Sequence, residues 1–422
     1  MITSPLKDER RRPGNHPKPA PPFCYHCATT LRRFHRTRKI DGAEKAAYLL
    51  PQRTSVTQYE LPPNTDDLDS PHVAPDDPRG DQRMTKKDQR TVAIVGATGA
   101  VGEVLLEVLA ERRFPVGELR PLASERSAGT SVPFRGAQVP VELARPEAFD
   151  GADFVFFAAT GTLSKDLAPE AAKRGAVAID KSGTWRMDPK VPLVVPEVNA
   201  DAIERHEGII SCPNGTTIGF VMALEPIRRA AGLRSVVVTT LQAVSGAGKP
   251  GIDELEAQMS AAARGERIAP KTFAAPIAYN VVPLCETFRD DAYSTEEIKL
   301  LLETRKIMDL PDLDVSMTCV RVPVPVGHSA TVLIETERPL TADQARHALA
   351  QFPGVRVVDD PAHNAFPTPA EVAGHDEVLV GRIRRDLGSN RLWLWEVSDN
   401  LRKGAATNAV QIAEELMRRG LK

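Results

Sequence analysis

The sequence lacks any hydrophobic run near the roughly 20 residues that a membrane-spanning helix requires, and its N-terminus has no short apolar secretion core. These absences lead us to expect a soluble, intracellular chain with no membrane partner. Charge of one sign is also missing. A formal net charge of -2 gives no whole-chain attraction to nucleic acid, so the expected partner is a small molecule. Cysteine is sparse: Cys24, Cys27, Cys212, Cys285 and Cys319 form an odd, scattered set. A chain of this length does not need staples, so free thiols in a reducing compartment are expected, which fits the cytoplasm. What is present, 42% hydrophobic and 26% charged residues over 422 positions, suffices for two domains with a core each.

Texture divides the chain. Residues 1–83 are rich in proline, with basic residues crowding positions 7 to 39 and acidic ones between Glu60 and Asp81. We read this extension as mostly disordered and expect its deletion to change little. Its Cys24, His26 and Cys27 could supply zinc ligands, but no second cysteine pair follows, so no metal site is expected.

The ordered chain begins at TVAIVGATGAVGEVLLEVLAERRF, where the β-branched run Thr91 to Val95 meets a glycine turn and then an apolar period near 3.6. Further strands are expected at Leu119 to Ala123, Phe154 to Ala158 and Val177 to Ile179, with a helix over Ser164 to Arg174. Such alternation implies a parallel sheet covered on both faces. After Cys212 come long strands (Ser235 to Ala243, Met317 to Pro323, Ala330 to Thr336) and amphipathic helices (Gly251 to Ala263, Thr295 to Met308). The expected fold is therefore α/β: a Rossmann-type parallel-sheet nucleotide domain over 84–211 and an α+β mixed-sheet domain over 212–395. A last segment, 396–422, with a helix at roughly Gly404 to Arg419, is expected to pack back on the first domain.

In GATGAVG (Gly96, Ala97, Thr98, Gly99, Ala100, Val101, Gly102) the missing Cβ atoms let backbone amides approach a pyrophosphate at a helix N-terminus. A glycine triplet alone also fits an ordinary turn, so its context matters. At the end of the next strand, where a ribose-binding carboxylate normally stands, the chain reads Ser124, Glu125, Arg126, Ser127. A cation and two hydroxyls suit a 2′-phosphate and favour NADP, while Glu125 would admit NAD as well.

From this loop onward LASERSAG, VPLVVPEVN, LQAVSGAGKPG, TEEIKLLLETRKIM, TCVRVPVPVGHSA and SDNLRKGAATNAVQIAEEL follow in order. The sequence here resembles aspartate-β-semialdehyde dehydrogenase over nearly all of residues 91 to 422. The resemblance implies reduction of β-aspartyl phosphate by NADPH to the semialdehyde and phosphate, a step toward lysine, threonine and methionine, in a homodimer. Such chemistry needs a nucleophile to displace phosphate, and a thiolate at a helix N-terminus attacks and leaves well. It also needs a proton acceptor, oxyanion donors and cations for the substrate's anions.

By motif, His328 would be the general acid/base, Arg321 would clamp the substrate carboxylate, and Gln242 would orient the acyl group or nucleophile. Arg186 and Lys299 would hold phosphate, Glu296 would meet the ammonium, Asn214 would contact substrate, and Asn400 the cofactor. An isolated turn histidine, a strand-end glutamine and an exposed ion pair between Glu296 and Lys299 are the plainer readings of these residues.

One position departs. Where the family places cysteine in a segment like NPNCST, this chain has SCPNGTTIGF, with Gly215 at the nucleophile position and Thr216 after it. Neither Thr216 nor Thr217 is an obvious substitute, since capping the helix suits them better. Cys212 is three residues upstream, either a relocated nucleophile or a small buried residue at a strand end. Lys181 and Gly183 in DKSGTWRMD are smaller departures. Three readings follow: an active dehydrogenase using Cys212, a non-catalytic NADP-binding homologue acting as regulator or dimer partner, and a related reductase of N-acetylglutamyl phosphate. Glu296 argues against the last, because an acetylated amine offers it no ammonium.

Overall fold

The computed structural model describes residues 89–422, so the extension and its Cys24, His26 and Cys27 lie outside the described residues. The first sheet is built from β1 (Arg90–Val95), β2 (Val116–Ala123), β5 (Glu142–Leu143), β6 (Phe154–Phe157), β7 (Val177–Asp180) and β8 (Ile209–Ser211). Its order is β5-β2-β1-β6-β7-β8 and every pairing is parallel. A small antiparallel hairpin, β3 (Ser131–Phe134) with β4 (Ala137–Pro140), interrupts it and was not expected from the sequence.

Burial on both faces explains why these strands read as continuous apolar runs rather than alternating ones. In β1, Val92 and Ile94 join the core shared with α1 (Ala100–Glu111), while Ala93 and Val95 join the opposite core with α2 (Gly161–Lys173).

The second sheet has the order β10-β9-β11-β14-β13-β12. Its members are β9 (Ser235–Gln242), β10 (Asp314–Arg321), β11 (His328–Glu335), β12 (Val355–Val357), β13 (Val378–Arg385) and β14 (Leu392–Ser398). The β9/β10 and β12/β13 pairs are parallel and the rest antiparallel, giving a mixed sheet. Buried Val236 and Val238 of β9 face the core that contains α4 (Gly215–Ala231), whereas Val237 on the opposite face is 43% exposed. α5 (Lys249–Ala263), α6 (Thr295–Met308) and α7 (Ala342–Ala350) complete this half, with four-residue helices α3 (Pro196–Asn199) and α8 (Pro369–Val372) in connections.

The last helix differs in detail from the single helix expected at roughly Gly404 to Arg419. A π-helical turn, Arg402–Thr407, precedes α9 (Asn408–Arg418), with Gly404 N–H donating to Asp399 O and Ala406 N–H to Leu401 O. The wider turn accommodates Lys403, whose buried ammonium is paired with Glu197 at 2.7 Å and also donates to Gln411. From there α9 runs back against β7 and α3, placing Val410, Ile412, Ala413 and Leu416 in the core of the first sheet. No helix among the described residues is long and apolar enough to cross a membrane.

Candidate active site

The glycine loop leaves β1 and enters α1. Gly96 has φ +89°, and a Cβ there would lie 2.5 Å from Ala158 O, so only glycine fits. A Cβ on Gly102 would come 2.2 Å from Gly96 O; its absence lets helix and turn touch. These two contacts hold Ala97 through Val101 at the N-terminus of α1, as a pyrophosphate site requires. Ser124 and Arg126 follow β2 and are exposed, while Ser127 is half-buried, leaving the Arg126 guanidinium available to a ribose phosphate.

At the other end of the site, α4 begins at Gly215. Asn214 is its N-cap: Oδ1 accepts from Thr216 N–H at 2.8 Å and from Thr217 N–H, satisfying donors that the first helical turn leaves free. The same side chain turns its Nδ2 to Glu296, 3.0 and 3.1 Å from the two carboxylate oxygens.

Glu296 collects further donors, from Gln242 Nε2 at 3.1 Å and Thr216 Oγ1 at 3.4 Å, with Lys299 at 3.7 Å. Its buried oxygens are thus supplied with hydrogen-bond donors. Helix α6 is set by a capping box, with Ser294 Oγ accepting from Glu297 N–H and Glu297 accepting from Ser294 N–H. On that helix Glu296, Lys299 and Glu303 fall at i, i+3 and i+7, one face.

Glu303, which the sequence reading passed over, is 1% exposed and pairs with Arg186 at 2.9 Å. Its other oxygen accepts the Asn214 backbone N–H at 2.8 Å, so it ties α6 to the start of α4. Its seven-residue spacing from Glu296 was the signal that could have found it. Arg186 also donates to Lys181 O at 2.7 Å and Cys212 O at 3.2 Å. The guanidinium expected to hold phosphate is thereby neutralised and largely committed to holding the β7 and β8 termini together. Lys299 pairs with Glu286 at the rim.

Arg321 presents the opposite case. It ends β10, is 4% exposed, and donates Nη1 to Ala243 O at 2.6 Å, yet no carboxylate among the described residues pairs with it and its Nε has no partner. Beside it stands His328, the first residue of β11, following Gly327 at φ +96°. A Cβ on Gly246 would meet Arg321 Nη1 at 2.6 Å and His328 Nε2 at 3.2 Å, so this glycine keeps the two groups open to a common space.

Burial first, then the charges of Arg321 and Lys181, holds His328 well below the ordinary imidazole range, leaving it neutral. Ala243 N–H donates to its Nδ1 at 3.0 Å. A neutral ring accepting at Nδ1 carries its proton on Nε2, so toward the pocket His328 is a donor before it is a base. Asn400 lies against the same loop, its Oδ1 accepting from Gly327 N–H at 3.0 Å and its Nδ2 donating to Ser245 Oγ at 2.9 Å.

Cys212 does not take the missing thiol's place. Its side chain is fully buried, with Sγ 3.8 Å from Ala405 O and accepting from Asn408 Nδ2 at 3.4 Å, toward α9. Burial pushes the thiol up, so it is not a ready thiolate. The relocated-nucleophile expectation is corrected on these grounds: Cys212 is a core residue at a strand end. Among the described residues no cluster of His, Cys, Asp or Glu could hold a metal ion.

A parallel-sheet nucleotide domain joined to a mixed sheet with these buried polar groups defines a two-domain, nicotinamide-nucleotide-dependent oxidoreductase. Residues 91–206 match the model of the semialdehyde dehydrogenase NAD-binding domain, and residues 224–403 that of the semialdehyde dehydrogenase dimerisation domain. The chain is 48% identical over 339 residues to an aspartate-semialdehyde dehydrogenase of Bacillus subtilis, covering 78% of this chain and 98% of that one. It is 50% identical over 336 residues to that of Aquifex aeolicus, again covering 78% and 98%. The crystal structure of aspartate semialdehyde dehydrogenase II from Vibrio cholerae, complexed with ASA, superposes with TM-score 0.76 at 47% identity, covering 78% of this chain and 98% of that one. The chain belongs to the aspartate-semialdehyde dehydrogenase family.

Proposed function

We propose that the protein is an NADP-dependent aspartate-semialdehyde dehydrogenase, interconverting β-aspartyl phosphate and aspartate semialdehyde with release or uptake of phosphate. The observation that carries this reading is Arg321: a buried guanidinium without a carboxylate among the described residues, opening beside His328 onto one space, calls for an anionic ligand there. Glu296, fixed by Asn214 and Gln242, supplies the opposite charge for an α-ammonium, which favours an unacetylated amino acid over an N-acetylated one.

The glycine loop and Arg126 fit NADP, which supplies hydride when bound. Around the reacting carbonyl the chain's own groups bind and orient. His328 Nε2–H donates to the oxygen that gains charge, Arg321 anchors the carboxylate, and Lys299 with the N-terminus of α4 faces phosphate. The overall change conserves atoms without an enzyme thiol; a thiol divides it into two easier steps. Glycine at 215 therefore affects rate rather than the identity of substrate and product, and a purely regulatory role is not needed to explain the retained pocket.

A homodimer is part of this reading, supported by half-exposed apolar residues such as Val237 on the outer face of the mixed sheet. The test is phosphate-dependent reduction of NADP by aspartate semialdehyde, run beside NAD and without phosphate. No turnover by either the natural chain or Gly215→Cys would sink the proposal.

A further inference from the structure

Lys181 has no part in the chemistry described so far, and its surroundings are unusual for a lysine. It follows β7 directly, is half-buried, and its Nζ donates to Pro213 O at 3.2 Å, its one polar partner among the described residues. No carboxylate there pairs with it: the adjacent Asp180 is taken by Ser164 Oγ at 2.7 Å and Ser182 Oγ at 2.8 Å, and Glu303 by Arg186. Pro213 immediately precedes the N-cap of α4, so the amine sits against the first turn of that helix, where Gly215 contributes no side chain. Lys181 also lines a small cavity with Val101, Ala158 and Ala405, next to Gly404, whose carbonyl oxygen would stand 3.1 Å from a Cβ on Gly215. Burial pushes the ammonium down and the neighbouring Arg186 adds to this, so the free amine is more accessible than in a surface lysine.

We propose that Lys181 is a covalent binding site for the aldehyde, its amine condensing reversibly with the terminal aldehyde of the amino-acid substrate to form an imine. The inference rests on the semialdehyde reading of the pocket. The neutral Nζ lone pair attacks the carbonyl carbon, one N–H proton passes to the oxygen, and a carbinolamine forms. Loss of the hydroxyl with the second amine proton gives one water and the C=N bond, with no oxidant or reductant consumed. His328 Nε2–H is the donor suited to the oxygen in both steps. Arg321 and Glu296 select an aldehyde that carries an α-carboxylate and ammonium.

The test uses the full-length protein without nucleotide, treated with aspartate semialdehyde and cyanoborohydride, which reduces an imine to a stable amine. Peptide mass mapping should place the adduct on Lys181, formed faster than on any other lysine, since a lowered ammonium leaves more free amine at a given pH. Lys181→Arg keeps the charge and the hydrogen bond to Pro213 but removes the nucleophile; it should bind semialdehyde by calorimetry and lose the adduct. The map on the natural chain decides even if that variant folds poorly. Calorimetric binding with no preferential adduct at Lys181 overturns this proposal alone. Absence of any semialdehyde binding overturns it together with the functional reading.

Discussion

Replacing Gly215 by cysteine should raise phosphate-dependent turnover by at least about 100-fold, which is about 2.7 kcal/mol of barrier. Position 215 tolerates the change because its backbone is not left-handed and a Cβ there would stand 3.1 Å from Gly404 O and 3.3 Å from Asn400 O. Those oxygens must retreat by a few tenths of an ångström, which we place at roughly 1 kcal/mol, the low end for overpacking. Replacing a helical glycine offsets part of it, by roughly 0.5 kcal/mol. By contrast Gly96 and Gly102 would collide at 2.5 and 2.2 Å and admit nothing larger. The new sulfur would start α4, where the helix dipole favours thiolate.

The assay is nicotinamide absorbance with semialdehyde, phosphate and NADP, beside Gly215→Ser, which carries the same Cβ without the thiol. Gly215→Ser should stay at the natural rate, and iodoacetamide should silence only the cysteine variant. A folded Gly215→Cys that iodoacetamide modifies at 215, yet turns over no faster than the natural chain, would refute the reasoning. Acyl transfer would then owe nothing to a thiol at this position.

Three further outcomes follow from the same geometry. Cys212→Ser should leave turnover unchanged, and native protein should resist iodoacetamide at Cys212, because the sulfur faces Ala405 and Asn408; loss of activity would reinstate it as nucleophile. Arg321→Met should weaken substrate binding severely while raising the unfolding free energy without ligand, by about 1–3 kcal/mol, since it removes a buried cation that has no carboxylate partner among the described residues; a destabilised variant would show that Arg321 is a structural tie. Glu396, buried in β14, is pushed by burial up to about 8. A raised folded-state value means its contribution is complete in acid and is lost as pH climbs toward 8. Glu396→Gln should therefore gain stability over the natural chain from pH 5 to pH 8, by about 4 kcal/mol at most, and parallel denaturation curves at both pH values would contradict this.

Much of this was legible in the residues. The glycine loop, its strand and helix, and the bounds of α6 at Thr295–Met308 are where apolar period and turn chemistry agree. β10 was read too late, at Met317 to Pro323 rather than Asp314–Arg321, because outward Asp314 and Ser316 dilute its apolar signal. β14 was missed although Leu392 and Leu394 are buried and alternate with half-buried Trp393 and Trp395. The π-turn at Arg402–Thr407 has no period to read: it depends on where Glu197, far away in sequence, meets Lys403.

What the sequence could not disclose is which charges are already answered. Arg186 and Arg321 are the same residue in equally good motifs, and both are buried. Glu303 distinguishes them, closing on Arg186 from α6 and leaving Arg321 as the guanidinium without a carboxylate. The same logic separates Lys299, paired at the rim with Glu286, from Lys181, which among the described residues meets only a carbonyl. A buried cation left without an anion costs the fold free energy, and such a cost marks where a ligand is awaited. Arg321 and Lys181 both bear on His328. The unanswered charge of the site thus lies around the imidazole, so substrate binding is expected to depend more on the β10 and β11 side of the pocket than on Arg186.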